Sequence, residues 1–394
     1  MSEEPSPHNI VILGASFSGI GVAHGILKAI PSLQSQTQKT YKVTLVANAS
    51  HFWWSVGAPR AMLKPYPTSN DDSFIPVTKG FEQYPSDHWE FVHAEIIGLA
   101  TDEREVHYKT KNDKEDVAEV VSNMHFDTLV IAVGSLGPDP LYSIHGSHIP
   151  TLEAYKDVQA RLPSAQSVMI IGGGAAGTET AGELGHLHGK GTAEVKDITL
   201  VSGSDRLLPH LRPAIGARAQ EFLEDMHVKV EHKVRMTDHR KLVDGKTEVS
   251  LSDGSKRTVD LLLVATGRHP ASGFLPKSLL NEKGLVNVDA FLRIPSVDSA
   301  YACGDIASNS PGDAITIKTQ APATSNNIIA ELSAKGQPKE WKPMTTKEMQ
   351  IVPVGPNLGV GAIFGWWAPS FAVKMIKSRN FMFPNAIKTV MGTA

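Results

Sequence analysis

Residues 167–177 read SVMIIGGGAAG. A five-residue apolar run enters Gly172-x-Gly174-x-x-Gly177, and a helical pattern follows to about His188. In this strand-to-helix context each glycine has its own task. Gly172 makes the tight turn, Gly174 lets backbone approach a pyrophosphate, and Gly177 lets helix and strand pack closely. The free N–H groups and the positive end of the helix dipole then face the anion. Asp197–Val201 (DITLV) supplies the next strand and completes a βαβ unit.

The same plan occurs roughly 160 residues earlier. Asn9–Leu13 (NIVIL) enters Gly14-x-Ser16-x-x-Gly19, with a helix expected from about Gly19 to Ile30, a polar loop over Pro31–Thr40 and a strand over Tyr41–Ala47. Ser16 replaces the middle glycine and is small enough to fit. Ser18 and Ala176 lie within the two turns and are grouped with their binding residues. A tight turn without ligand is the alternative for either motif alone; two motifs, each in the right context, point to two nucleotide sites.

Two further strands share a phrase. Phe126–Val133 (FDTLVIAV) contains Ala132 and ends in Gly134-Ser135; Val259–Ala265 (VDLLLVA) ends in Thr266-Gly267. Each reads as the strand that closes one nucleotide-binding unit. The charged, turn-rich stretches Trp89–Glu119 and Val228–Lys256 read as small antiparallel meanders. Residues 1–8 read as a loose tail. After residue 338 Pro, Gly, Trp and basic residues dominate, which marks a separate C-terminal module.

The expected fold class is therefore α/β, with two Rossmann-like dinucleotide-binding domains and a small C-terminal α+β module. The expected boundaries are 1–137 with 268–337, then 138–267, then 338–394.

Composition narrows the function. The chain has 394 residues and a formal net charge of -3, which does not suit a nucleic-acid-binding protein. Its one cysteine, Cys303, allows no internal disulfide and no relay of electrons through a cysteine pair. His186-x-His188 lies in a polar stretch and reads as a solvated face, so no metal site is expected. No apolar run reaches the roughly 18 to 20 residues that span a bilayer. The acidic start MSEEPSPHN resembles neither a secretory nor a mitochondrial leader, and with Ser2 no N-myristoylation is expected. The expected location is cytoplasmic, with peripheral attachment to an intracellular membrane as the variant.

Late in the chain Tyr301-Ala302-Cys303 precedes Gly304-Asp305. With Gly14–Gly19, Pro59-Arg60-Ala61, Ala132-Val133-Gly134, Gly172–Glu179, Ala265-Thr266-Gly267, Gly365-Trp366-Trp367 and Lys377-Ser378-Arg379, this phrase carries a resemblance over nearly the whole chain. The sequence resembles the FAD-dependent pyridine nucleotide oxidoreductases of glutathione-reductase-like architecture. Within them it is similar to the apoptosis-inducing-factor-like and ferroptosis-suppressor-protein-like group, including fungal relatives.

The resemblance implies non-covalent FAD on the first unit and the residues after about 268, and NADH or NADPH on the second. Hydride passes from the nicotinamide to flavin N5, and two electrons then reach a quinone-type acceptor. Asp305 would meet the ribityl and phosphate groups, and Arg60 would pair with phosphate, with a plain surface arginine as its alternative. Glu179 would lie near the flavin–nicotinamide junction, with a helix-dipole acid as its plain alternative. A helix beginning at Thr319-Gln320-Ala321-Pro322 would aim its N-terminus at the flavin ring, with Pro322 in the first turn and Lys318 just before it. Glu179, Lys318 and Gln320 are the catalytic candidates; Gln320 and Ala321 are also counted with the cofactor residues.

Two places depart from the pattern. The acid that ends the second strand is replaced by Ala47-Asn48, leaving Asn48 or Ser50 for the ribose. Ser202 stands at the matching place in the second unit, with Arg206 near enough to meet a 2′-phosphate, and the residues alone leave NADH and NADPH both open. Trp53, Trp54, Trp366 and Trp367 are pocket or core residues, with Trp53 read as core. The tail from Phe371 to Lys388 is apolar and basic: it either lies on an anionic membrane or packs on the protein or a second subunit. A reductase of a protein electron carrier and a slow redox-signalling or cell-death flavoprotein are the alternative functions. Monomer and homodimer both remain open.

Overall fold

The computed structural model describes residues 6–63, 73–111, 120–312, 314–333 and 335–394. Part of the expected loose tail (1–5) and of the first meander (112–119) lies outside them.

Two parallel sheets form the frame. In the first, the strand order is Ala300–Ala302, Thr128–Ile131, His8–Leu13, Tyr41–Ala47, Trp89–Ala100, Glu105–Thr110 and Val121–His125. The first five pair in parallel, and the last two extend the edge as an antiparallel meander. The second sheet has the order Val228–His232, Asp197–Ser202, Ser167–Ile171 and Leu261–Val264, all parallel. An antiparallel meander of Met236–Lys241, Thr247–Leu251 and Lys256–Val259 accompanies it. The strands that carry the two glycine turns are apolar without alternation because helices or loops cover both faces: Ile10, Val11, Ile12 and Leu13 are fully buried, as are Val168–Ile171 to within a few per cent.

The helices are α1 (Phe17–Thr37), α2 (Ala58–Ala61), α3 (Ile149–Arg161), α4 (Ala175–His188), α5 (Pro213–Asp225), α6 (Ala314–Ser333), α7 (Ser370–Val373) and α8 (Pro384–Val390). Two of them differ from the sequence expectation. α1 continues through Pro31 to Thr37, so the polar loop expected from 31 shrinks to 38–40. Pro31 lies on the exposed side of the helix and removes one N–H from the ladder without ending it. α6 begins at Ala314 rather than Thr319, so Pro322 is an interior proline and Lys318 lies within the helix.

α1 and α6 pack through small residues. A Cβ on Gly21 would sit 2.9 Å from the Ala321 Cβ, and one on Gly25 would sit 2.3 Å from the Ser325 hydroxyl. The C-terminal module is α+β. Its antiparallel sheet, Gln350–Val354, Leu358–Ile363 and Trp366–Trp367, lies on α4. Gly182 permits this contact, since a Cβ there would meet the Gly355 nitrogen at 2.6 Å. The chain passes from the first sheet toward the second at Ser135–Leu136 and returns at His269–Pro270, and these segments pair as an antiparallel ribbon.

Candidate functional site

Gly14 adopts φ +104°, and a Cβ there would lie 2.5 Å from the Ala132 carbonyl oxygen. Gly19 brings α1 against the strand so closely that a Cβ would sit 1.8 Å from the Gly14 oxygen. Ser16 occupies the N-cap of α1, exposed, with extended backbone. Gly14, Ser16, Ser18, Asn48, Ala132, Gly134 and Asp305 all border one cavity of about 910 Å³. Asp305 brings a carboxylate to that cavity. Its Oδ2 accepts a hydrogen bond from the Ser135 hydroxyl at 2.9 Å. Its Oδ1 is buried and has no partner among the described residues, and a buried carboxylate oxygen without a donor is costly. The hydroxyls of an FAD ribityl chain supply such donors. The glycine turn offers the amides that a diphosphate needs. The residues present fit FAD.

The second turn repeats the packing. Gly172 has φ +125°, and a Cβ on Gly177 would lie 1.8 Å from the Gly172 oxygen. Nothing lies within 4 Å of the place a Gly174 Cβ would take. Gly174 is the N-cap of α4, so the open space sits over the helix N-terminus, where a second diphosphate fits.

A larger cavity, of about 1090 Å³, continues from the first: Phe17, Trp53, Val56 and Ile317 border both. Ala176, Glu179, Gly267, Lys318 and Ala321 line it, so it gathers residues from both nucleotide units. Glu179 is buried, and its Oε1 accepts a hydrogen bond from the Lys377 ammonium at 2.6 Å. Burial holds the Glu179 carboxyl above the ordinary carboxylate range, and the Lys377 charge pulls it part of the way back. Glu179 is the one acidic side chain among the described residues lining this cavity.

Lys377 belongs to a π-helical turn, Lys374–Ser378, that follows α7. The turn is fixed from below by Arg60, whose Nη2 donates to the Ser378 carbonyl at 2.8 Å and whose Nη1 donates to the Arg379 carbonyl at 2.9 Å. Arg60 also forms a buried ion pair with Glu183, one turn along α4 from Glu179. Arg60 therefore does not face a phosphate. The expectation is corrected: the guanidinium is about 1 % exposed and commits its N–H groups to Glu183 and two carbonyls.

The other expected residues fall as follows. Gln320 is fully buried and points into the packing: its Oε1 accepts from the Gly304 amide at 2.7 Å and its Nε2 donates to Asn309. It positions the Gly304-Asp305 turn. Gly304 has φ +81°, and a Cβ there would meet the Ser18 hydroxyl at 2.3 Å, so the late phrase is locked onto the first glycine turn. The Asn48 carbonyl is bonded to the His93 ring at 3.1 Å. Lys318 reaches the larger cavity from inside α6, not from ahead of its N-terminus, and Pro322 beside it has no N–H for the Lys318 carbonyl. Trp53 and Trp54 are buried and border the cavity, so each is both core and wall. Trp366 and Trp367 are exposed and line neither cavity. Sequence reasoning did not place Lys377 in the site. The phrase Lys377-Ser378-Arg379 was visible, but as part of a tail with a basic, apolar character.

The pyridine nucleotide-disulphide oxidoreductase family pattern matches residues 8–324. Oxidoreductase ptaL of Pestalotiopsis fici is 34 % identical over 387 residues, covering 98 % of this chain and 99 % of the relative. Ferroptosis suppressor protein 1 of Xenopus tropicalis is 26 % identical, covering 96 % of this chain and 95 % of the relative. Among solved structures, the sulfide:quinone oxidoreductase of Aquifex aeolicus has the same fold, with a TM-score of 0.70 at 15 % identity, covering 98 % of this chain and 92 % of that one.

Proposed function

The chain belongs to the pyridine nucleotide-disulphide oxidoreductase family, an NAD(P)H-dependent flavoprotein oxidoreductase of the ferroptosis-suppressor-like kind, and we propose that its electron acceptor is a quinone. FAD and NAD(P)H are its cofactors. Bound together they supply a two-electron relay from the nicotinamide through the flavin ring to the acceptor.

The assignment of residues within that relay is part of the proposal. Residues 1–137 with 268–337 carry FAD, residues 138–267 carry NAD(P)H, and 338–394 complete the acceptor side. Gly14, Ser16, Ser18, Gly19, Ala132, Gly134, Gly304 and Asp305 shape the flavin site, with Asn48 beside the ribose. Gly172, Gly174, Ala176, Gly177 and Gly267 shape the nicotinamide site.

The observation that carries the quinone reading is the Glu179–Lys377 pair in the wall of the larger cavity. Trp53, Trp54, Ile376 and Met382 give that cavity an apolar lining suited to a planar ring. A quinone that takes two electrons must also take two protons. Lys377 has protons to donate at the ring oxygen, and Glu179 holds the ammonium in place and can return a proton to it. With no cysteine pair in the chain, electrons have no thiol route to follow.

The cavity also borders the C-terminal module, where Phe371, Met375 and Trp366 are 69 %, 76 % and 77 % exposed near Lys374 and Arg379. That surface suits an anionic bilayer from which a long-tailed quinone is drawn, so peripheral membrane contact belongs to the same reading. Among the described residues no helix is long and apolar enough to cross a membrane.

Stopped-flow spectroscopy of the FAD-loaded protein tests the acceptor. The flavin absorbance should bleach on mixing with NADPH or NADH, and a short-chain ubiquinone should restore it faster than dissolved oxygen does. Fast bleaching that no quinone reverses removes the quinone assignment and leaves the oxidoreductase.

A further inference from the structure

We propose that the second nucleotide site is built for the 2′-phosphate of NADPH, with Arg206 and Arg235 as the residues that select it. The inference rests on the reading of Gly172–Gly177 as the nicotinamide-nucleotide turn.

In a βαβ dinucleotide unit the end of the second strand faces the adenosine ribose. An acid there accepts hydrogen bonds from the 2′-hydroxyl and repels a 2′-phosphate; a nearby arginine does the reverse. Here the second strand ends at Ser202, whose hydroxyl is already occupied. It donates to the Arg206 carbonyl at 3.4 Å and accepts from the Ser204 amide at 3.3 Å. The loop that follows is fastened to the glycine turn, because the Leu208 amide donates to the Gly173 carbonyl at 2.8 Å. A Cβ on Gly173 would lie 2.4 Å from the Ser202 hydroxyl, so the base of the loop and the turn share one surface.

Cations surround that surface. Arg206 is half-buried, braced by Asp205 at 3.3 Å and by the Pro209 carbonyl at 3.1 Å. Arg235 lies across Gly203: a Cβ there would be 2.9 Å from the Arg235 Cγ and 3.1 Å from its Nε. Lys233 donates its amide to the Ser204 carbonyl and leaves its side chain exposed. Asp205 is the single acid between residues 202 and 212, and Arg206 holds it. No acidic side chain pairs with Arg235 or Lys233 among the described residues. The surface beyond the second strand thus carries two arginines and a lysine against one acid, Asp205, which is already paired with Arg206 through Oδ1. A phosphate dianion offers these donors charge and several acceptor oxygens, whereas a hydroxyl offers one neutral acceptor, and a guanidinium fork spans two phosphate oxygens.

The test compares two ligands that differ only by the phosphate in question. Isothermal titration of the FAD-loaded protein with 2′,5′-ADP and with 5′-AMP should show the former binding at least about tenfold more tightly. Arg206→Gln and Arg235→Gln should each weaken 2′,5′-ADP by about tenfold, the scale of one charge-assisted contact, and leave 5′-AMP unchanged. Arg235 is exposed, so the thermal midpoint of Arg235→Gln should not move; Arg206 is half-buried, so Arg206→Gln is titrated at a temperature where its circular dichroism matches the parent. In turnover the same variants should raise KM for NADPH with kcat unchanged, and Arg206→Lys should recover part of the loss. Equal binding of the two ligands, or variants that weaken both alike, overturns the inference. Flavin reduction by NADH alone would also overturn it, while leaving the oxidoreductase reading intact. If neither ligand binds and neither nicotinamide reduces the flavin, the nucleotide reading of the second turn falls as well.

Discussion

Arg60 and Glu183 meet through two parallel contacts of 2.7 Å, Nε to Oε2 and Nη2 to Oε1, with side chains only 1 % and 3 % exposed. The pair joins three parts of the chain that lie far apart in sequence: α2, α4 and the turn that bears Lys377. The Arg60 guanidinium also stacks 4.6 Å above the Phe381 ring. Two charges removed from water this completely are tolerable only together.

Removing one partner should therefore be severe. Arg60→Met or Glu183→Gln is expected to cost about 3 to 5 kcal/mol, because it strands a charge or a set of N–H groups in the interior. Urea denaturation followed by circular dichroism checks this. The double variant Arg60→Met with Glu183→Leu should recover part of the loss. A single variant as stable as the parent would show that the pair is not sealed from solvent.

The Glu179–Lys377 pair makes a prediction about pH. Glu179 is held above the ordinary carboxylate range mainly by burial. A raised carboxyl stabilises the fold most below its unfolded pKa, and that contribution is lost as pH rises through the folded value. Lys377→Met removes the compensating charge and pushes the carboxyl higher still. The variant's stability deficit should thus grow as pH rises above the ordinary carboxylate range, whereas Lys377→Met with Glu179→Gln should show no such growth. Quinone turnover by Lys377→Met should fall by about 10²-fold, the usual worth of a positioned proton donor. A pH-independent deficit would mean that Lys377 does not govern the ionisation of Glu179.

The two glycines of the second turn should respond differently to the same substitution. Gly177→Ala places a methyl 1.8 Å from a carbonyl oxygen and should prevent the unit from folding normally. Gly174→Ala places a methyl in open space, so its thermal midpoint should match the parent while KM for NAD(P)H rises by about tenfold or more. If Gly174→Ala leaves KM unaltered, no diphosphate crosses that turn.

Cys303 should be chemically silent. It is fully buried, and burial pushes its thiol up to about 12. The thiolate, not the thiol, is the reactive form. N-ethylmaleimide at pH 8 should leave the folded protein unlabelled, by mass spectrometry, and its flavin reduction unchanged. Rapid labelling of the native state would contradict the packing around the Gly304-Asp305 turn.

The exposed tail residues should matter for lipid and not for folding. Phe371→Ser with Met375→Ser is expected to weaken sedimentation with phosphatidylserine vesicles several-fold with no change in thermal midpoint. Equal sedimentation of parent and variant would assign the patch another role.

Much of this was legible in the sequence because it is local. Strand, glycine turn and helix follow one another within a dozen residues, so both nucleotide units and their closing strands could be read directly. Asp305 could be read because Gly304 must precede it. The errors are long-range or compensated. Pro31 and Pro322 suggest helix ends, but each occupies an exposed side of a helix that tertiary packing carries through. The phosphate role of Arg60 was implied by the resemblance alone, and nothing local in the sequence points to its partner, Glu183, 123 residues away. Lys377 is 198 residues from Glu179, and no periodicity connects them.

The ribbon between Ser135–Leu136 and His269–Pro270 has a consequence for how such a molecule diversifies. Entry and exit of the intervening 130-odd residues are strand neighbours, a separation that a short peptide could bridge. On the proposed assignment the NAD(P)H-binding segment is topologically a cassette: it can be exchanged, or retuned from one nicotinamide to the other, without rethreading the segments proposed to hold the flavin.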